Sequence, residues 1–96
     1  MKPSLSIVQS HSFKKAVKKL HKNQKSDLDD AIRAIVDDPN LGTQKAGDLS
    51  AVRVYKFKMV KQLTLLAYQI DDGELVLTLL MVGAHENFYR DVKLIL

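Results

Sequence analysis

The chain has 96 residues, 46% hydrophobic and 27% charged, with four glycines, two prolines and no cysteine. That is the composition of a folded chain with room for one core, so a single domain over residues 1–96 is expected and multidomain enzymes are excluded. The lack of cysteine excludes disulfides, thiolate nucleophiles and zinc–thiolate sites. No apolar run is long enough to span a membrane and no hydrophobic signal core follows Met1, so a cytoplasmic protein is expected.

Fifteen Lys and Arg against eleven Asp and Glu give a formal charge of +4, unevenly spread. Residues 1–26 carry Lys2, Lys14, Lys15, Lys18, Lys19, Lys22 and Lys25 with no acid, and residues 27–38 carry Asp27, Asp29, Asp30, Asp37 and Asp38 against Arg33 alone. Lys45, Arg53, Lys56, Lys58 and Lys61 form a second basic stretch offset by Asp48. Such clusters suit phosphate backbones or acidic protein surfaces, or are the solvated face of a lysine-rich helix.

In chain order, Leu5, Ile7 and Val8 read as a short strand, with Ser10 or Ser12 next as a helix N-cap. Phe13, Ala16, Val17 and Leu20 then recur at helical spacing, which predicts a first helix with lysines on its other faces. After a polar break at residues 21–24, Leu28, Ala31, Ile32, Ile35 and Val36 predict a second helix, ended by Asp38-Pro39. Its first turn is expected to hold Asp27, Asp29 and Asp30, where carboxylates complement the helix dipole. The two helices should make a hairpin, followed by a loop over 43–50.

Three strands are predicted next, over 51–58, 62–71 and 74–83, the last two joined by Asp71-Asp72-Gly73, a strong turn signal. Both parities of the last two strands are apolar, so both sheet faces must be covered. The helices can cover one. The C-terminal segment with Phe88, Tyr89, Val92 and Ile95 is too short to close the other, leaving an apolar groove for a partner protein. The expected fold is α+β: an N-terminal strand and a two-helix hairpin packed on an antiparallel-rich, twisted four-stranded sheet, with a short C-terminal helix.

Two features could carry chemistry. Lys56 and Lys58 alternate with Tyr55 and Phe57, so a strand turns both ammonium groups to one face; the pair is either a phosphate-sized cation site or the protective charge of an edge strand. His85 follows the last strand, and Tyr89 stands one helical turn on. Together with the lysines they could serve RNA cleavage, which needs a base on the 2′-hydroxyl, cations on the phosphate and an acid at the leaving 5′-oxygen; a surface histidine beside a core tyrosine is the other reading. The three separated histidines make no metal cluster, and there is no glycine-rich phosphate loop.

The element order and these residues resemble the RelE/ParE superfamily of bacterial type II toxin–antitoxin toxins over nearly the whole chain. Tyr55-Lys56-Phe57-Lys58 is similar to the Tyr-Lys-Ile-Lys strand of the RelE branch, and Leu66-Ala67-Tyr68-Gln69-Ile70 to its Leu-Val-Tyr-Gln-Val. Residues 71–79 followed by Gly83-Ala84-His85 are closer to the YafQ branch, in which Gly-Ser-His precedes an aromatic residue four positions on, as Tyr89 follows His85 here. The resemblance implies a ribosome-dependent messenger RNA endonuclease that needs no metal or cofactor and is neutralised by a cognate antitoxin in a hetero-oligomer.

On that resemblance Lys56 and Lys58 stabilise the phosphate, His85 takes the place of a RelE catalytic arginine, and Tyr89 stacks or positions. Arg53 and Lys61 are expected to contact RNA, with Arg90 another source of positive charge, and Lys18 and Lys22 to grip the ribosome. The sequence departs from the pattern at Leu65, where the RelE branch has arginine, and at Met59-Val60-Lys61-Gln62, which lacks the histidine and aspartate of the YafQ branch. These departures keep two further readings open: a ParE-like inhibitor of DNA gyrase, or a toxin fold kept only as a binding partner of its antitoxin.

Overall fold

In the computed structural model, which describes residues 5–71, 73, 76–84 and 88–95, the elements run β1 (Ser6–Gln9), α1 (His11–Lys18), α2 (Lys22–Asp37), β2 (Thr43–Gln44), a 3-10 turn at Gly47–Leu49, β3 (Arg53–Met59), β4 (Gln62–Asp71), β5 (Val76–Gly83) and α3 (Phe88–Leu94). The sheet order is β1-β5-β4-β3-β2. β1 lies parallel to β5 and every other neighbouring pair is antiparallel. The α+β architecture is the one expected, with β2 added as a fifth strand at the edge. Its two exposed residues, paired through Thr43↔Val54 and Gln44↔Arg53, have no apolar alternation by which a sequence pattern could mark them.

β4 makes the sheet two-sided. Leu65, Leu66, Ala67 and Tyr68 in succession are fully buried. Leu66 and Tyr68 join Phe13, Leu28, Ile35, Leu77, Leu79 and Val82 under the helices. Leu65 and Ala67 join Leu49, Val52, Val54, Leu80, Phe88 and Val92 under α3. Thus α1 and α2 cover one face, and α3 with the loop at 49–52 covers part of the other.

Ser10 caps α1: its Oγ accepts the Phe13 N–H at 3.0 Å and donates to the Leu80 carbonyl at 2.6 Å. α2 begins earlier than expected, at Lys22, because the Gln24 side chain accepts the His21 N–H at 2.8 Å and closes the helix start there. Asp27, Asp29 and Asp30 therefore lie beyond the first turn and are not the dipole partners expected of them. Asp30 instead faces Arg33 at 3.4 Å in an exposed pair, worth little in water. The β4–β5 turn falls partly outside the described residues at Asp72, while the Gly73 N–H donates to Asp71 Oδ1 at 3.0 Å.

The loop after α2 is tied down by the sheet. The Tyr68 hydroxyl donates to the Pro39 carbonyl at 2.7 Å and accepts the Gly42 N–H at 2.9 Å. Gly42 has to be glycine for steric reasons: a Cβ there would stand 2.8 Å from both Cε1 and the hydroxyl of Tyr68. Arg53 Nη1 donates to the carbonyls of Gly42 at 2.8 Å and Asn40 at 3.3 Å.

Tyr68→Phe would leave the buried Gly42 N–H without its acceptor and is expected to cost about 1–3 kcal/mol in urea unfolding. Burial raises the Tyr68 phenol above its ordinary value, outweighing the opposing Gly42 hydrogen bond. The folded state thus holds that proton more tightly, and the resulting stability is full below the unfolded phenol's pKa and lost as pH rises through the folded one. The alkaline decline in stability should be shallower in Tyr68→Phe.

Candidate functional site

β3 alternates as expected, with Lys56 and Lys58 exposed on the α3 face and Tyr55 and Phe57 half-buried on the α2 face. The two aromatic rings stack, centroids 6.0 Å apart and planes 8° from parallel. At strand rise the lysines are roughly 7 Å apart along the chain. They continue the row begun by buried Val54, past the part of the face that α3 covers. A row across the sheet links Lys56 to Leu65 and Leu65 to Gly83, so the end of β5 emerges on the lysines' face. His85 follows two residues later and lies outside the described residues.

Tyr89 is half-buried against the cluster under α3. Its ring meets Phe88 edge-on, 5.5 Å between centroids, and Lys45 Nζ stands 5.1 Å from its centroid, within cation–π range. Lys45 is thus a cation on this face that pairing patterns did not single out, because its position depends on how the loop at 45–52 folds back; the Lys45 N–H donates to the Val52 carbonyl at 2.9 Å.

The expected RNA-contacting residues divide between the faces. Arg53 shares the Tyr55 face, away from Lys56 and Lys58, and spends Nη1 on loop carbonyls, so its evident role is to hold the loop at 40–42. Lys18 closes α1 and Lys22 opens α2, both exposed on the helix layer. Arg90 is exposed on α3. Leu65, where the resemblance would have a cation, is fully buried. Among the described residues no group of three His, Asp or Glu side chains could hold a metal ion, and no helix is long and apolar enough to cross a membrane.

Lys61 stands at the tip of the β3–β4 hairpin. Met59 pairs with Gln62, so Val60 and Lys61 form a two-residue turn, both with positive φ, 49° and 69°. For a β-branched residue that is a strained conformation. The Val60 N–H donates to Asp27 Oδ2 at 2.7 Å. Sequence reasoning gives Asp27 a helix-dipole role and not this one; the one signal available is a two-residue hairpin lacking the usual Asn-Gly or Asp-Gly.

A family model described as the ParE-like toxin of type II bacterial toxin–antitoxin systems matches residues 7–93. The chain belongs to this toxin family. Among solved structures, it is similar to the Escherichia coli toxin RelE, free and bearing two arginine-to-alanine substitutions, with a TM-score of 0.74 and 23% identity over 98% of this chain and 100% of that one. It is also similar to a chain of the intact E. coli RelBE toxin–antitoxin complex, at TM-score 0.69 and 20% identity over 86% and 99% of the two chains. A chain of the RelBE2 toxin–antitoxin complex from Mycobacterium tuberculosis gives 0.70 and 15% over 86% and 100%. At these identities the likeness is one of fold. No curated protein matches the sequence.

Replacing Val60 with Asn, which adopts positive φ readily, should relieve the turn of this toxin and stabilise it by about 1 kcal/mol, read as a rise in melting temperature.

Proposed function

We propose that this toxin arrests translation by cutting messenger RNA on the ribosome, without a metal. The observation that carries the reading is the pair Lys56 and Lys58, both in solvent on the part of the sheet face that α3 leaves bare, on the face where β5 ends just before His85. Cleavage proceeds by attack of the 2′-hydroxyl oxygen on the neighbouring phosphorus. A base takes the hydroxyl proton, the bond to the 5′-oxygen breaks, and an acid returns a proton to that oxygen, leaving a cyclic phosphate. His85 is the group able to exchange a proton near neutral pH. Lys56 and Lys58 offset the charge that builds on the phosphate oxygens, and Tyr89, with Lys45 at its ring, offers a base a surface to stack on.

A cognate antitoxin is the expected partner, as in the RelBE complexes whose toxin chains share this fold. Ile7 on the edge strand β1 is about half exposed and lines, with Phe13, Val17, Leu28 and Ile32, a cleft of about 300 Å³. This apolar surface, on the helix side where α1 meets β1, supports the antitoxin reading, whereas the bare part of the α3 face, where a groove was expected, carries Lys56 and Lys58. In this reading the exposed lysines of α1 and α2 meet ribosomal RNA, with strong salt dependence.

Buried Leu65 favours a second reading. It leaves no cation in the row between Lys56 and Gly83, where the RelE branch has arginine, and a ParE-like toxin that inhibits DNA gyrase by binding alone has no need of one.

Translation in a purified cell-free system, with 5′ ends mapped by primer extension, separates the two. The expected result is cuts within the reading frame only when ribosomes are present, lost in His85→Ala and slowed about 100-fold or more in the Lys56→Ala/Lys58→Ala double variant. Intact messenger together with inhibited gyrase supercoiling would establish the second reading instead.

A further inference from the structure

The β3–β4 hairpin violates ordinary turn chemistry. Positive φ at both central residues belongs to Asn-Gly or Asp-Gly, since a β-branched side chain is crowded by its own backbone there. Val60 gains little from burial in exchange, being 44% exposed. The contact that holds this turn comes from a distant part of the chain: Asp27 of α2, 33 positions earlier, accepts the Val60 N–H at 2.7 Å. That amide lies outside the ladder, which ends at the Met59↔Gln62 pair.

The cost of this arrangement is electrostatic as well as conformational. Asp27 places a negative charge against a hairpin that carries Lys56, Lys58 and Lys61, where it weakens the attraction for any phosphate. Its carboxylate makes a bond that a turn of Asn-Gly type would not need. The three features therefore belong together: a strained turn, an acceptor that pins it and a cationic tip.

We propose that Asp27 is a positioning residue of the RNA-contacting hairpin. Its carboxylate holds Val60 and Lys61 in the positive-φ turn and so sets the direction in which Lys58 and Lys61 meet RNA. The inference rests on the RNA-cleaving reading for its functional half, while the clasp itself stands on the turn geometry.

The test compares the wild-type chain with Asp27→Ala, Asp27→Asn and the double variant Asp27→Ala/Val60→Asn. The readouts are amide hydrogen exchange at Val60 and, well below the melting temperature, KM and kcat for ribosome-dependent cleavage. Asp27→Ala is expected to expose the Val60 amide and raise KM about 10-fold with kcat less affected. Asp27→Asn, which keeps an acceptor oxygen, should restore protection and most of the affinity. Val60→Asn should restore KM in the Asp27→Ala background by making the turn stable without its clasp. A lower KM in Asp27→Ala would show Asp27 to be only a repelling charge and overturn the proposal. So would an Asp27→Asn variant as impaired as Asp27→Ala, or a failure of Val60→Asn to restore KM. If the wild-type chain cuts no messenger on ribosomes, the cleavage reading falls by itself, and unchanged amide protection in Asp27→Ala would then overturn the clasp separately.

Discussion

The constraint on which the structure turns is that β4 is apolar on both sides. Leu65 and Ala67 face one way, Leu66 and Tyr68 the other, and all four are fully buried. A strand of this kind cannot sit at a solvated face, so the chain must supply a layer above and a layer below. It supplies them unequally. Sixteen residues of α2 together with α1 cover one face; seven residues of α3 cover the other. The uncovered remainder of the second face falls over the outer half of β3, and that is where Lys56 and Lys58 stand. The candidate site is thus the part of the sheet that the short C-terminal helix does not reach, occupied by side chains that tolerate water.

Charge follows the same division. The lysines of α1 and the start of α2 are exposed on the helix layer, while Lys45, Lys56 and Lys58 belong to the opposite face. The +4 excess of the sequence is therefore spread over two cationic surfaces separated by an apolar sheet. With a screening length of about 8 Å at physiological salt, the two surfaces act on partners largely independently. A partner that engages both has to surround the molecule, as a ribosomal site does under the proposed function.

Most of the architecture was legible in the residues because it rests on periodicity. Phe13, Ala16 and Val17 on α1, Leu28, Ala31 and Ile35 on α2, and the double-parity runs of β4 and β5 each state their period within a single element. What escaped sequence reading depends on chain segments meeting far apart in sequence. The start of α2 is the local exception: it moved to Lys22 because Gln24 closes a cap that no apolar residue announces. Arg53 reads as one more basic residue of the β3 stretch, yet its guanidinium serves carbonyls 11 and 13 positions earlier. Asp27 looked like a helix-dipole residue and is a turn clasp, because only the fold brings α2 to the β3–β4 hairpin. The lysine pair could be read directly, since strand alternation alone puts Lys56 and Lys58 together.

The end of β5 depends on one further irregularity. Tyr68 pairs with Leu79 and Ala67 with Met81, so Leu80 is an extra residue on β5. Leu80 and Met81 consequently both pack on the α3 side, and the alternation resumes with Val82 toward the helices and Gly83 toward α3. A bulge normally frees backbone groups of their ladder partners. Here Ser10 takes one up: its Oγ donates to the Leu80 carbonyl and also caps α1, while its N–H, donating to the Leu79 carbonyl, continues the β1–β5 ladder. One serine therefore ties the exit of β1, the start of α1 and the bulge of β5 into a single junction. Without the extra residue the parity would invert, and residue 83 would face the helix layer instead of the face that carries Lys56 and Lys58. The bulge is what turns the end of β5 and the lysine pair of β3 to the same face of the sheet.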